Sequence, residues 1–170
     1  MSLLGKKILN LLNNPSKAKK HSKQMISFED SQCIGIIYTW ADKAKMNFIG
    51  EFAQGLEKEV SILSFNPLKD PVDTIHPIFN IEELSALGKL KSEVADAFLR
   101  KQFDYLFVLD FDLSEVTQHL IVNSNAICRV GCHIEDAKEY FDLMIGVNQN
   151  AGIANFAEQL IKYVKAISNG

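Results

Sequence analysis

The stretch from Phe103 to Gly131, FDYLFVLDFDLSEVTQHLIVNSNAICRVG, decides the fold class of this chain. Tyr105 to Leu109 is apolar without alternation, as a strand covered on both faces should be. Asp110 and Asp112 follow at its C-terminal end. Asp112 and Glu115 have the spacing of a capping box for a helix running to about Val122. Asn123, Ser124 and Asn125 read as the turn out of that helix, and Ala126 to Val130 as the next strand. Strand, helix and strand in this order form a βαβ unit. Its polar groups fall where a parallel sheet keeps its binding crevice.

The same alternation extends to both sides. Cys33 to Tyr38 is a β-branched, apolar first strand. Thr39 and Asp42 have capping-box character, and Asp42 can stabilise the N-terminus of the helix that follows. Ala44, Phe48, Ile49, Phe52, Ala53 and Leu56 repeat at helical spacing to about Lys58, and Val60 to Phe65 is the second strand. Pro71 and Pro77 exclude a regular helix in the next stretch, where Ile75 to Ile81 reads as an edge strand. Glu93 to Arg100 is a helix capped by Ser92, with Val94, Phe98 and Leu99 turned inward. Tyr140 to Ile145 is a short strand. Ile153, Phe156, Ala157, Leu160, Ile161, Val164 and Ile167 mark the buried stripe of a last helix. The expectation is one three-layer α/β domain over residues 31–170, around a mostly parallel sheet of five to six strands.

Residues 1–30 read as a basic helical arm. Leu4, Ile8, Leu11 and Leu12 share one helical face, and Asn13-Asn14-Pro15 stops the pattern. Lys6, Lys7, Lys17, Lys19, Lys20 and Lys23 are balanced by no acid in residues 1–23, which makes that segment +6. The other 12 basic and 21 acidic residues leave the body at −9, consistent with the net charge of −3. Such an arm either docks on its own acidic body or meets an anionic surface such as a membrane or RNA.

Several function classes are set aside by what the chain lacks. No apolar run approaches the roughly 20 residues of a membrane span, and no secretory leader is recognisable, so a cytoplasmic location is the default. Cys33, Cys128 and Cys132 read as reduced, buried thiols. Cys128, Cys132 and His133 have no further ligand pair at finger spacing, so neither a metal nor a cofactor is expected. The exit of the first strand, Tyr38-Thr39-Trp40-Ala41-Asp42, is no dinucleotide fingerprint. Gly88-Lys89-Leu90-Lys91-Ser92 lacks the upstream glycine of a phosphate loop, and no nucleophile elbow occurs.

The candidate residues gather at the C-terminal ends of the strands. Asp42 and Asp110 are the candidate catalytic carboxylates, although a helix cap alone accounts for Asp42. Asp112, Arg129, Gly131 and His133 are the candidate ligand-binding residues. Arg129 lies inside an apolar strand and needs either a carboxylate partner (Asp104, Asp110 or Asp142) or an anionic ligand. Gly131 lets the backbone turn or approach another group closely.

The strand–corner–helix opening that ends in Asp42, with FDYLFVLDF at 103–111 and Cys128-Arg129-Val130-Gly131 beyond it, resembles the ADP-heptose lipopolysaccharide heptosyltransferases and their D-L-V-I-D-L…R-x-G pattern. A closer resemblance, over most of residues 33–165, is to short uncharacterised bacterial proteins with the order LFVLDF…RVG…YFDLMI, which bring no established activity. The heptosyltransferase likeness implies a Rossmann-like acceptor half in which Asp42 corresponds to the base. The glycine usual before that residue is Ala41 here, and the chain ends before a donor half. The first expectation is therefore a non-catalytic binding or interaction module, with a protein partner among those it would suit. The second is an enzyme or subunit acting on a sugar or phosphorylated ligand at the edge of the sheet. The third is an accessory protein that reaches membrane or RNA through its lysines.

Overall fold

The computed structural model describes residues 26–85 and 90–168, together with Asn13. Six strands form one sheet: β1 (Cys33–Thr39), β2 (Glu59–Asn66), β3 (Ile78–Asn80), β4 (Gln102–Val108), β5 (Asn125–Cys132) and β6 (Leu143–Ile145). Their order is β3-β2-β1-β4-β5-β6, and every neighbouring pair runs parallel. This is the doubly wound arrangement, in which strand order reverses between β1 and β4. Among the described residues three α-helices connect strands, α1 (Lys43–Gly55), α2 (Glu93–Arg100) and α3 (Glu115–Asn123), and a fourth, α4 (Gly152–Ser168), follows β6. None is long and apolar enough to cross a membrane.

Period-two alternation along the central strands sorts side chains onto two covered faces. Ile34, Ile36 and Tyr38 of β1 lie with Tyr105 and Phe107 of β4 under Ile49 of α1 and Phe156, Leu160 and Val164 of α4. Ile37, Leu63 and Leu106 pack on the other side against Ala95 and Phe98 of α2 and Val116 and Leu120 of α3. Phe141 and Ala137, from the loop before β6, close a smaller cluster with Val108 and Ile121.

Two glycines make this packing fit. A Cβ on Gly35 would stand 2.9 Å from Leu106 Cδ1 and 3.0 Å from the Phe103 ring. One on Gly131 would collide with the ring of Phe141. Gly131 thus serves a close approach inside the core, one of the two roles its sequence position suggested.

Several local expectations are corrected. Ser114, not Asp112, caps α3, its hydroxyl accepting from Thr117 N–H at 3.1 Å. Thr39 belongs to no capping box; Asp42 caps α1 alone, accepting from Lys45 N–H at 2.8 Å. Val94 is 41% exposed, because Ala95 and Phe98 take the inward face of α2. The strand expected over Tyr140 to Ile145 is reduced to Leu143–Ile145, with Phe141 drawn into the core instead. Ile167, expected in the buried stripe of α4, is 45% exposed. The helical face and the lysines assigned to the N-terminal arm, like Gly88 and Lys89, lie outside the described residues.

Asn13 is buried at 1% exposure and makes three contacts to the α3 side of the domain. Its amide donates to Glu115 O at 2.7 Å, its side-chain oxygen lies 3.2 Å from His119 Nδ1, and its carbonyl accepts from Tyr140 Oη at 3.0 Å. On the opposite side, His76 Nδ1 lies 2.9 Å from Tyr38 Oη. Burial pushes the pKa of both imidazoles below the ordinary histidine value.

Gly131→Ala is expected to cost about 1–3 kcal/mol in denaturant unfolding, the range for overpacking a filled core. Gly55→Ala should instead stabilise by about 0.4–1 kcal/mol, since the position is helical and its Cβ would meet nothing within 4 Å. Because the folded state depresses the pKa of His76 and His119, the unfolded chain binds more protons below about pH 6.5. Their contribution to stability is complete above that pH and is lost as pH falls through the depressed folded values. Melting temperature should decline over that window, and NMR titration of the two imidazoles should give midpoints below the ordinary one. Midpoints at the unperturbed value would refute this assignment.

Candidate functional site

The C-terminal ends of β1 and β4 lie side by side where the sheet reverses order. Their register holds a constant offset from Ile34 opposite Tyr105 to Ile37 opposite Val108, which sets Asp110 level with Thr39. The last ladder bond is Leu109 N–H to Ile37 O at 2.9 Å. Beyond it the Asp110 carboxylate takes over. It accepts from Thr39 N–H at 2.8 and 3.0 Å, from Thr39 Oγ1 at 2.8 Å and from Lys45 Nζ at 2.6 Å. Asp110 is 6% exposed, and the Lys45 side chain 18%. The ammonium also lies 5.7 Å from the centre of the Tyr38 ring. A carboxylate this buried is tolerated because each oxygen is hydrogen-bonded and a cation lies against it.

Above this clamp opens a cleft of about 410 Å³, lined by Thr39, Lys45, Asp110, Phe111, Asp112 and Ser114 among others. Asp112 is exposed at its mouth. Phe111 is supported from below by the ring of Phe156, with centroids 5.7 Å apart. Asp42 stands on the same rim, joined to the clamp through Lys45, whose backbone N–H it accepts while the side chain reaches Asp110. Of the sequence candidates, Asp110 and Asp112 line the cleft, and Asp42 borders it as a helix cap.

Thr39, read from sequence only as a helix cap, and Lys45 were not among the site candidates, yet they hold Asp110. The signal for Thr39 was its place at the end of a central strand, level with a polar residue on the neighbouring one. Lys45 gave no signal that distinguishes it from Lys43, the other lysine of α1.

A model of the family of unknown function DUF6913 matches residues 2–167. The chain belongs to that family. No curated protein and no solved structure matches it. The likeness to heptosyltransferases therefore has no support among these comparisons.

The remaining candidates of this DUF6913 chain do not line the cleft. Arg129 pairs in register with Leu106, four residues before Asp110, so about 13 Å of strand separates the two levels. It is 5% exposed, and its Nη1 approaches Asp142 Oδ2 at 3.8 Å while the same oxygen accepts Arg129 N–H at 2.9 Å. Its Nε and Nη2 are buried without a hydrogen-bond partner among the described residues. Burial pushes the guanidinium pKa down from its ordinary value. Asp142 is thus the partner found among the three carboxylates considered for Arg129. His133 is exposed, and its N–H donates to Ile145 O at 2.9 Å. Cys33, Cys128 and Cys132 are free thiols, and burial raises the pKa of Cys33 and Cys132. Among the described residues no group of histidine, cysteine and carboxylate side chains is arranged to hold a metal.

A buried guanidinium with two unmet donors and one long ion pair costs desolvation that its partner does not fully offset. Arg129→Met should leave thermal stability unchanged or raise it. Asp142→Ala, which strands the cation, should lower unfolding free energy by roughly 3–5 kcal/mol. Equal losses in the two variants would overturn this account of the pair.

Proposed function

We propose that this chain is a non-catalytic binding module whose cleft at the ends of β1 and β4 takes a neutral, hydroxyl-rich ligand of the saccharide class. The observation that carries this is the commitment of the carboxylates. The oxygens of Asp110 are occupied by Thr39 and Lys45, and Asp42 caps α1. Neither is poised to take a proton from a substrate, as a general base must be.

Charge decides the ligand class. Lys45 and Asp110 cancel, and Asp112 leaves the lining at −1, which disfavours a phosphate or carboxylate ligand. An exposed carboxylate accepts hydroxyl protons, the remaining ammonium hydrogens of Lys45 donate to hydroxyl oxygens, and Phe111 offers an apolar face. That combination of a few convergent polar groups beside an aromatic one suits a sugar ring.

The test is an NMR titration of the isotope-labelled chain with neutral hexoses, a hexose 1-phosphate and inorganic phosphate. Amide shifts are expected to cluster at Thr39, Lys45 and residues 111–114 with the hexoses, to be smaller with the phosphates, and to weaken in Asp112→Asn. The hexose 1-phosphate should stay intact by phosphorus NMR. Absence of clustered hexose shifts, or a stronger response to inorganic phosphate, sinks the ligand assignment. Turnover abolished by Asp110→Asn sinks the non-catalytic one.

A further inference from the structure

β2 is covered by β3 along only part of its outer edge. The pairing runs from Ser64 opposite Ile78 to Asn66 opposite Asn80, and Ser64 N–H donates to Pro77 O at 2.9 Å. Below Pro77 no strand among the described residues pairs with the edge. Backbone groups of alternate residues point to the same side of a strand, so the N–H and C=O of Val60 and Ile62 face outward with those of Ser64. Glu59 N–H, of the opposite parity, points inward to Gln32 O at 3.0 Å. No hydrogen bond among the described residues occupies the four outward groups of Val60 and Ile62.

A depression flanks this open segment on each face of the sheet. One, of about 330 Å³, is lined by Ser61, Leu63, Pro77, Val94, Phe98 and Lys101. The other, of about 410 Å³, is lined by Gly50, Ala53, Val60, Ile62, Ile75 and His76. Ile75 is 73% exposed at its rim. Open backbone with an apolar hollow above and below is the geometry that receives an added strand, whose side chains alternate between the two faces.

We propose that the occupant is a second copy of this chain, joined through antiparallel pairing of the two β2 edges about a two-fold axis at Ser61. Three features favour a copy of the chain itself. In that register Val60 faces Ile62 of the other copy, and the two exchange both backbone bonds. Four bonds then satisfy all eight outward groups of the pair, and Pro77 prevents the pairing from running further.

Charge is complementary across the same axis. Lys101 Nζ lies 2.8 Å from Ser61 Oγ, on the face that also carries Glu59 and Leu63. The pairing sets Glu59 of one copy diagonally across from Ser61 of the other, within about 7–8 Å, a span a glutamate and a lysine close together. Each copy supplies one acid and one base, so two equivalent ion pairs form. On the opposite face the two-fold axis carries the exposed Ile75 of each copy over the hollow of the other. Isologous contacts of this kind close on themselves and produce a dimer rather than a filament.

Sedimentation equilibrium on the full chain over a concentration series tests this. Wild type should fit a reversible monomer–dimer equilibrium. Val60→Pro, which removes one outward N–H at a position where an edge strand tolerates proline, should be monomeric while keeping the wild-type circular dichroism spectrum. Glu59→Lys should weaken the dimer about tenfold and Glu59→Lys/Lys101→Glu should restore it, an outcome a misfolded variant cannot give. A wild type that remains monomeric overturns the proposal, and strand addition from another protein would then be the alternative for this edge. A dimer insensitive to both substitutions overturns it as well, because the contact would lie elsewhere.

Discussion

The pairing of β1 with β4 is the contact on which the rest of the structure depends. These strands are adjacent in the sheet but separated by more than sixty residues, and their junction is where strand order reverses. Two carboxylates from the β4 side bracket it. Asp104 Oδ2 accepts from the N–H groups of Gln32 and Cys33 at 2.7 and 3.0 Å, at the start of β1. Asp110 accepts from Thr39 at its end. Each satisfies backbone donors that would otherwise lie beyond the ladder, partly sheltered from water. The register of the whole sheet follows from this bracket, because β2 pairs with β1 and β5 with β4.

The same bracket shapes the cleft. A crevice at this point of a doubly wound sheet is the usual place for a ligand. Here the carboxylate at its floor is already neutralised by Lys45 and saturated by Thr39, so it is part of the wall. What remains for a ligand is the exposed Asp112, the spare donors of Lys45 and the face of Phe111. The chemistry of the cleft is thereby set by how much of Asp110 the fold has used.

Arg129 shows the opposite balance. It occupies a strand interior flanked by Cys128 and Val130, with only part of its hydrogen-bonding capacity met among the described residues. Gly131, two residues further along, lets the ring of Phe141 close over the strand. A charge held under such packing limits which side chains can change without cost.

The sequence by itself determined the elements and their class. Unbroken apolar runs at Ile34–Tyr38 and Tyr105–Leu109, separated by helical periodicities, admit little other than a sheet covered on both faces, and proline placement marked β3 as an edge. These are local signals, set by periodicity and by backbone restrictions. Cap positions such as Ser114, and the inward choice of Ala95 over Val94, were not legible, because neighbouring residues satisfy the same local rule and packing selects among them. The site was legible only in part: Asp110 and Asp112 stood out as polar residues ending an apolar strand. Thr39 and Lys45 did not, nor did the separation of Arg129 from the cleft. Tertiary structure alone decided those, since a carboxylate's role depends on which donors a distant segment brings within about 3 Å of it, and no spacing along the chain encodes that distance.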